Sequence, residues 1–442
     1  MKTGGEYIDK TLQPHLWSEK RKMSESCNSR HFSWLMKSCF PNPNDNKSIT
    51  PLHKSNHFIH PTAATTISSL PNDLLLECLS RVPSSSLPLI SLVCRRWYLL
   101  LLSPSFFNLR RNLHRLHSTL FAIFLSASTP TSTLSAATLS LPYQQHLGAF
   151  WQRDSDLDTD SIFLGNSSLL HGFFSQARLA AIGPKIYIIG KNVTLLYDSW
   201  TKTITPRSPM LFPRKKFGCA VVFGKIYVAG GSSRADPTVE EYDPSTDTWR
   251  VAAHAPRRRY GCLGASVDGV FYIIGGLKIG CNATAGTEAH VYASSMDLYD
   301  VKSCAWLRSR TVPGGGCVVA ACAAMGHVYV LTSHAVELSL WRFDARRNTA
   351  GFGEWVRIKR PPFPPQVRLD NTVKFSCVGA GDKVVLVQVI GCIDDLLHGS
   401  ARNTRGLREG LVLIYDTVGE CWNRGPDLPD VIRRAAVVNV EW

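Results

Sequence analysis

The sequence predicts a mainly β protein: a six-bladed β-propeller, preceded by three short helices and a disordered tail. Three observations predict it. From residue 178 onward a unit recurs in which a small-residue run leads to a glycine-ended strand, an aromatic–Asp pair and then Trp. Before it, about 45 residues carry apolar side chains at helical spacing. Before those, residues 1–67 are rich in Ser, Asn, His, Pro and Thr and show no sustained apolar period, the signature of a tail that cannot bury enough surface to fold.

Within that tail Met23 opens "MSESCNSRHFSWL" and is a second candidate start. The N-terminus shows no signal-peptide apolar region, and no 18-residue uncharged apolar stretch occurs, so no membrane association is expected. The helical unit spans 68–112. Asn72 or Asp73 can cap a first helix carrying Leu74, Leu75, Cys78, Leu79 and Val82, which Pro83 stops. Ser84 to Ser86 can cap a second, with Leu87, Ile90 and Leu92. A third carries Val93, Cys94, Trp97, Leu100 and Leu101, and Ser103-Pro104 marks its end. So small a unit scarcely supports itself, and a helix apolar on several sides needs further protein to cover it.

The repeats fill 118–442. Second strands read "KIYIIG", "KIYVAGG" and "VFYIIGG", with "HVYVLT" and "KVVLVQ" as degraded copies. The pairs Tyr197-Asp198, Tyr242-Asp243, Tyr299-Asp300, Phe343-Asp344 and Tyr415-Asp416 follow, and Trp249, Trp306, Trp355 and Trp422 close four of the units. The first copy lacks such a Trp. A period of about 45 to 50 residues with four strands is that of a propeller blade. Two longer intervals reflect insertions at 278–295 and 392–410. Residues 118–155 can supply three strands of one further blade and "RAAVVNVEW" at 434–442 its inner strand, which favours six blades over five.

Two resemblances follow from these residues. The segment Leu70-Pro71-x-Asp73-Leu74, Leu79-x-x-Val82-Pro83 and Leu92-Val93-Cys94-Arg95-Arg96-Trp97 resembles an F-box. That resemblance implies binding of a Skp-type adaptor, and through it a cullin, in an SCF ubiquitin ligase. Leu70, Pro71, Leu74, Leu79, Val82, Leu92, Val93, Cys94 and Trp97 would form the interface or its direct support. The repeats resemble the kelch motif, which implies a protein-recognition propeller. Together they imply a plant-type F-box/kelch substrate receptor; the alternative is a kelch interaction scaffold without a degradative role.

The formal charge is +15, from 49 Lys+Arg against 34 Asp+Glu. Basic residues cluster in the blade-to-blade loops as Arg214, Lys215 and Lys216, as Arg257, Arg258 and Arg259, and as Arg433 and Arg434. On one rim they would suit an acidic or phosphorylated client, through charge-assisted contacts to carboxylate or phosphate. Equally, such arginines can brace loops by bonding backbone carbonyls. Nucleic acid is the weaker partner, because only Phe217 and Tyr260 stand beside the basics as candidate stacking rings.

Catalysis is not expected. Kelch-type propellers include a copper radical oxidase, but here the 14 His residues are scattered, and no GxSxG, HExxH or phosphate-binding glycine loop occurs. No cofactor and no metal are expected. The 13 cysteines form no CxxC pair, and several lie in apolar strands, so they read as reduced core thiols of a cytosolic or nuclear protein.

Overall fold

The computed structural model describes residues 67–442 except 128–131, 142–150, 158–161, 163–166, 175–176, 232–236, 282–287, 335–336, 349–350, 364–372, 391–409 and 429–434. The tail expected over 1–67 (all but its last residue), the second insertion (all but its last residue), Arg433 and Arg434 therefore lie outside the described residues.

Six four-stranded antiparallel sheets form the blades. Blades 1 to 5 follow chain order, with inner strands Arg178–Ile182, Gly218–Val222, Leu263–Val267, Cys317–Ala324 and Val373–Ala380. The sixth closes the ring. Its inner strand is the C-terminal Ala436–Glu441, paired with Ser118–Ala127 in the register Ser118 to Glu441, and Ser132–Leu141 and Gln152–Leu157 complete it. The first insertion is itself ordered in part: Leu277–Cys281 and Glu288–Tyr292 form a hairpin that pairs with Arg259–Tyr260.

Each repeat residue has a physical reason. The second strands lie between neighbouring blades and are buried on both faces, so they read as continuous apolar runs rather than alternating ones. The aspartate of each aromatic–Asp pair ends a third strand and accepts backbone N–H groups of the following turn. Asp198 takes Trp200 and Thr201, Asp243 takes Ser245, Asp300 takes Lys302, Asp344 takes Arg346, and Asp416 takes Val418 and Gly419. The Trp lies directly across the sheet from the aromatic, and Tyr242–Trp249, Tyr299–Trp306, Phe343–Trp355 and Tyr415–Trp422 stack with ring centroids 5.0 to 5.1 Å apart.

These caps carry a pH prediction. The Gly419 amide and the Lys383 ammonium, 2.7 Å away, hold the Asp416 carboxyl down at about 2. A depressed native pKa contributes stability that is complete above the unfolded value of about 4 and is lost as pH falls through 2. Asp243 and Asp344 are shifted in the same direction, by Ser245 and by Arg346 respectively. Melting temperature should therefore fall between pH 4 and pH 2, and Asp416→Asn should lose that part of the slope.

The helical unit has one more helix than expected. Helix α1 is Asn72–Ser80, a 3-10 turn Ser84–Ser86 leads into α2, Leu87–Ser91, and α3 is Arg95–Leu101. The addition is α4, Pro104–Asn112, where Ser103 caps with its hydroxyl accepting from Phe106 N and Pro104 takes the first helical position. Asn72 and Asp73 do not cap α1. The Asn72 carboxamide instead accepts from Arg96 Nε at 2.9 Å, and Arg96 also donates to the Leu70 carbonyl, tying the α1 entry to α3. Arg110 of α4 is fully buried and stitches the unit together, donating to the carbonyls of Ser80, Val82 and Arg115 and to the Ser84 hydroxyl. A fifth helix, α5 at Ser167–Phe174, precedes blade 1.

Candidate functional site: two surfaces at opposite ends of the propeller

Strands in a blade alternate in direction. The first–second and third–fourth turns thus share one end of the ring, and the second–third loops and blade-to-blade connections share the other.

The helices occupy the turn end. Trp200, in the third–fourth turn of blade 1, is 4% exposed and packs in one cluster with Leu79, Leu87, Leu101 and Phe106. Trp442 joins it, and His117 and Trp442 exchange two backbone hydrogen bonds. Tyr98 donates to Asp198 Oδ2 at 3.3 Å, and burial with that carboxylate pushes the phenol up to about 12, so it remains a donor throughout the neutral range. Phe107 lies over Gly183, where a β-carbon would come within 3.0 Å of the ring. In the first repeat Ile204 stands across the sheet from Tyr197 where the other units have Trp, and the turn's own Trp200 faces the helices.

This packing sorts the nine residues expected at the adaptor surface. Leu79 is buried, and Val82 and Trp97 are half-buried against the same cluster, so they support the unit from within. Pro71, Leu74, Leu92, Val93 and Cys94 are exposed, and Leu70 is half-buried. Leu89 and Leu99, not singled out from the sequence, are 72% and 55% exposed. Leucines at such exposure form an apolar surface that nothing among the described residues covers.

Helix α4 also reaches the turn-end mouth. A cavity of about 430 Å³ runs along the inner strands, lined by small residues such as Ala180, Ala220, Gly264 and Ala323, with Phe107, Arg111 and Leu116 among its walls.

The basic loops lie at the other mouth, and the structure divides them. Arg214 is fully buried. Its guanidinium pairs with Glu240 at 2.7 Å and donates to the Gly230 carbonyl and the Thr238 hydroxyl. Arg259 repeats this one blade on, with Asp297 at 2.8 Å, the Gly275 carbonyl and the Ser295 hydroxyl. In both, the arginine lies 16 residues before the first glycine of the pair. That glycine turns its carbonyl toward the guanidinium at a positive φ, +75° at Gly230 and +68° at Gly275. Such arginines brace a loop and present nothing to a ligand. Arg257 is half-buried and engages Asp297 and Ser309, and Arg258 is half-buried beside it.

Lys215 and Lys216 are exposed, and no carboxylate pairs with either among the described residues. Lys215 N donates to Gly231 O, and Lys216 O accepts from Gly261 N, so the loop is clamped between blades 2 and 3. Lys216 Nζ lies 5.9 Å over the Tyr260 ring. A third cation escaped sequence reading. Arg178 opens the inner strand of blade 1, donates Nε to Phe217 O at 2.9 Å and lies against that ring, and has no carboxylate partner among the described residues. Burial pulls its pKa below the ordinary arginine range. Phe217 is fully buried and the Tyr260 ring is occupied by Lys216, so the two rings considered for base stacking are both engaged. Among the described residues no group of three or more His, Cys, Asp or Glu gathers as a metal site, and no helix is long and apolar enough to cross a membrane.

Comparison with known proteins agrees with this architecture. The F-box domain model matches residues 67–109 and the Kelch motif model residues 213–255. An F-box/kelch-repeat protein of Arabidopsis thaliana is 59% identical over 424 residues, 95% of this chain and 100% of that protein. A second from the same plant is 23% identical, covering 55% of this chain and 61% of its own length. Among solved structures the chain is similar to YjhT, with 16% identity and a TM-score of 0.42 over 58% of this chain and 84% of that one. The chain belongs to the F-box/kelch-repeat proteins, a family that generally acts in SCF ubiquitin ligases, as adaptors rather than enzymes.

Proposed function

We propose that this chain is the substrate receptor of an SCF ubiquitin ligase, without catalysis of its own. The observation that carries the reading is the separation of two unlike surfaces by the ring: exposed leucines on the helices at one end, and at the other the cations Arg178, Lys215 and Lys216, for which no carboxylate partner occurs among the described residues. The apolar surface of Leu74, Leu89, Leu92, Val93 and Leu99 binds a Skp-type adaptor and, through it, cullin. Burying such side chains at the centre of an interface typically accounts for most of its affinity. The mouth binds the client. Ubiquitin transfer belongs to the ligase's partner enzymes, and this chain supplies proximity. Thiols that are free throughout the described residues suit a cytosolic or nuclear setting.

The cations that face the client are Arg178, Lys215 and Lys216, with Arg257 and Arg258 at the margin, and the client segment they suit is acidic or phosphorylated. Exposed charges are individually weak and screened by salt, so several act together. Proximity labelling with the wild type and with a Leu92→Asp/Val93→Asp variant identifies the client: it should accumulate in cells carrying the variant. A labelled partner whose level never responds to loss of adaptor binding would favour the non-degradative scaffold. For that client, Lys215→Ala/Lys216→Ala should weaken binding about tenfold at low salt and less at high salt, with melting temperature unchanged. Equal affinity of wild type and double variant at both salt concentrations would remove these lysines from the site.

A further inference from the structure

Two thiols meet where blades 4 and 5 pack together beside the channel. Cys322 on the inner strand of blade 4 and Cys377 on the inner strand of blade 5 bring their Sγ atoms to 3.1 Å. They are 55 residues apart in sequence and belong to sheets that share no strand pairing. The approach is set by the backbone: a β-carbon on Gly379 would collide with the Ala323 carbonyl, so this glycine lets the two inner strands close up beside the thiols. Both cysteines are among the residues that line the channel cavity. Cys219 of blade 2 lines the same cavity, but on a strand that is not adjacent to either.

We infer that Cys322 and Cys377 form a reversible oxidation site, closing to a disulfide that staples blades 4 and 5 when a hydroperoxide enters the channel. A disulfide needs the sulfurs at about 2.0 Å, so the pair has about 1 Å to travel, within side-chain rotation rather than strand movement. The chemistry balances. One thiolate attacks the peroxide oxygen, releasing alcohol or water and becoming a sulfenic acid; the second sulfur then displaces that hydroxyl as water. Two thiol protons and two electrons pass to the peroxide, and a dithiol reductant reverses the step. The hydrogen bond from Cys377 to Cys322, with burial, holds the Cys377 thiol well above its ordinary pKa. Cys377 therefore rests as the thiol, and its oxidation should accelerate as pH rises above 7.

The test is peptide mapping of the full chain after hydrogen peroxide, without reduction. The expected result is a linked pair of peptides carrying Cys322 and Cys377, which disappears on treatment with dithiothreitol. Cys377→Ser should instead leave Cys322 trappable by dimedone as the sulfenic acid. The proposal is overturned if both thiols stay alkylatable, if each is oxidised singly without a link, or if Cys219 replaces one of them in the crosslink. Should a serine variant not fold, the wild-type map alone decides.

Discussion

Replacing Arg214 by alanine is expected to lower stability by about 3–5 kcal/mol, the cost of stripping one partner from a buried pair and leaving Glu240 uncompensated. Both side chains are fully enclosed, and the loss also orphans the Gly230 carbonyl and the Thr238 hydroxyl. Lys215→Ala, one residue on, should change stability by no more than about 0.5 kcal/mol because its ammonium is exposed. Denaturant unfolding of the two variants side by side checks the division of the basic loop into brace and surface. A double replacement, Arg214→Met with Glu240→Leu, should recover much of the loss. Equal, mild effects of Arg214→Ala and Lys215→Ala would mean the pair is not enclosed as described.

Trp200→Ala should cost a similar amount, about 3–5 kcal/mol, but in a different place. Its indole is the propeller's main insertion into the helical cluster around Leu87, Leu101 and Phe106. Hydrogen exchange should therefore quicken in α1 to α4 while the strands of blades 2 to 5 remain protected. Faster exchange in blade 1 alone, with the helices unchanged, would show that the helices hold their core without the propeller.

Most of the fold was legible in the sequence because the repeat is written in side chains that serve local needs. An aspartate must end each third strand to accept turn amides, and a Trp must face its aromatic across the sheet, so the period survives even where the glycine pair is lost. The C-terminal "AVVNVE" was readable as the ring's closing strand for the same reason: it matches the inner-strand position of the other blades. The fourth helix was not seen because Ser103-Pro104 looks like a stop signal, and the same two residues are the cap and first position of a new helix.

The site was less legible. Arg214 and Lys215 are neighbours in sequence with opposite fates, decided by a carbonyl 16 residues on and a carboxylate 26 residues on. A signal did exist, since the arginine and the glycine pair occur together in blades 2 and 3 and are both missing in blade 4, whose loop reads "TVPGGGCVV". Arg178 carried no such signal. Its place at the mouth comes from the Phe217 carbonyl of the next blade, which only the folded ring brings near. Among the helical residues, Leu79 and Leu92 are equally apolar in the sequence, and only packing against Trp200 and Phe106 separates the inward one from the outward one.

The central claim, that the outward leucines join this chain to a ligase adaptor, is tested most directly by titrating a purified Skp-type adaptor against the full chain. Wild type should bind, and Leu74→Asp/Leu92→Asp/Val93→Asp should lose at least about a hundredfold in affinity with an unchanged melting temperature, since three exposed apolar contacts at an interface centre carry several kcal/mol together. Trp97 is unsuited to this test, because it packs inward and its loss would disturb the fold. Adaptor affinity undiminished in the folded triple variant would contradict the account.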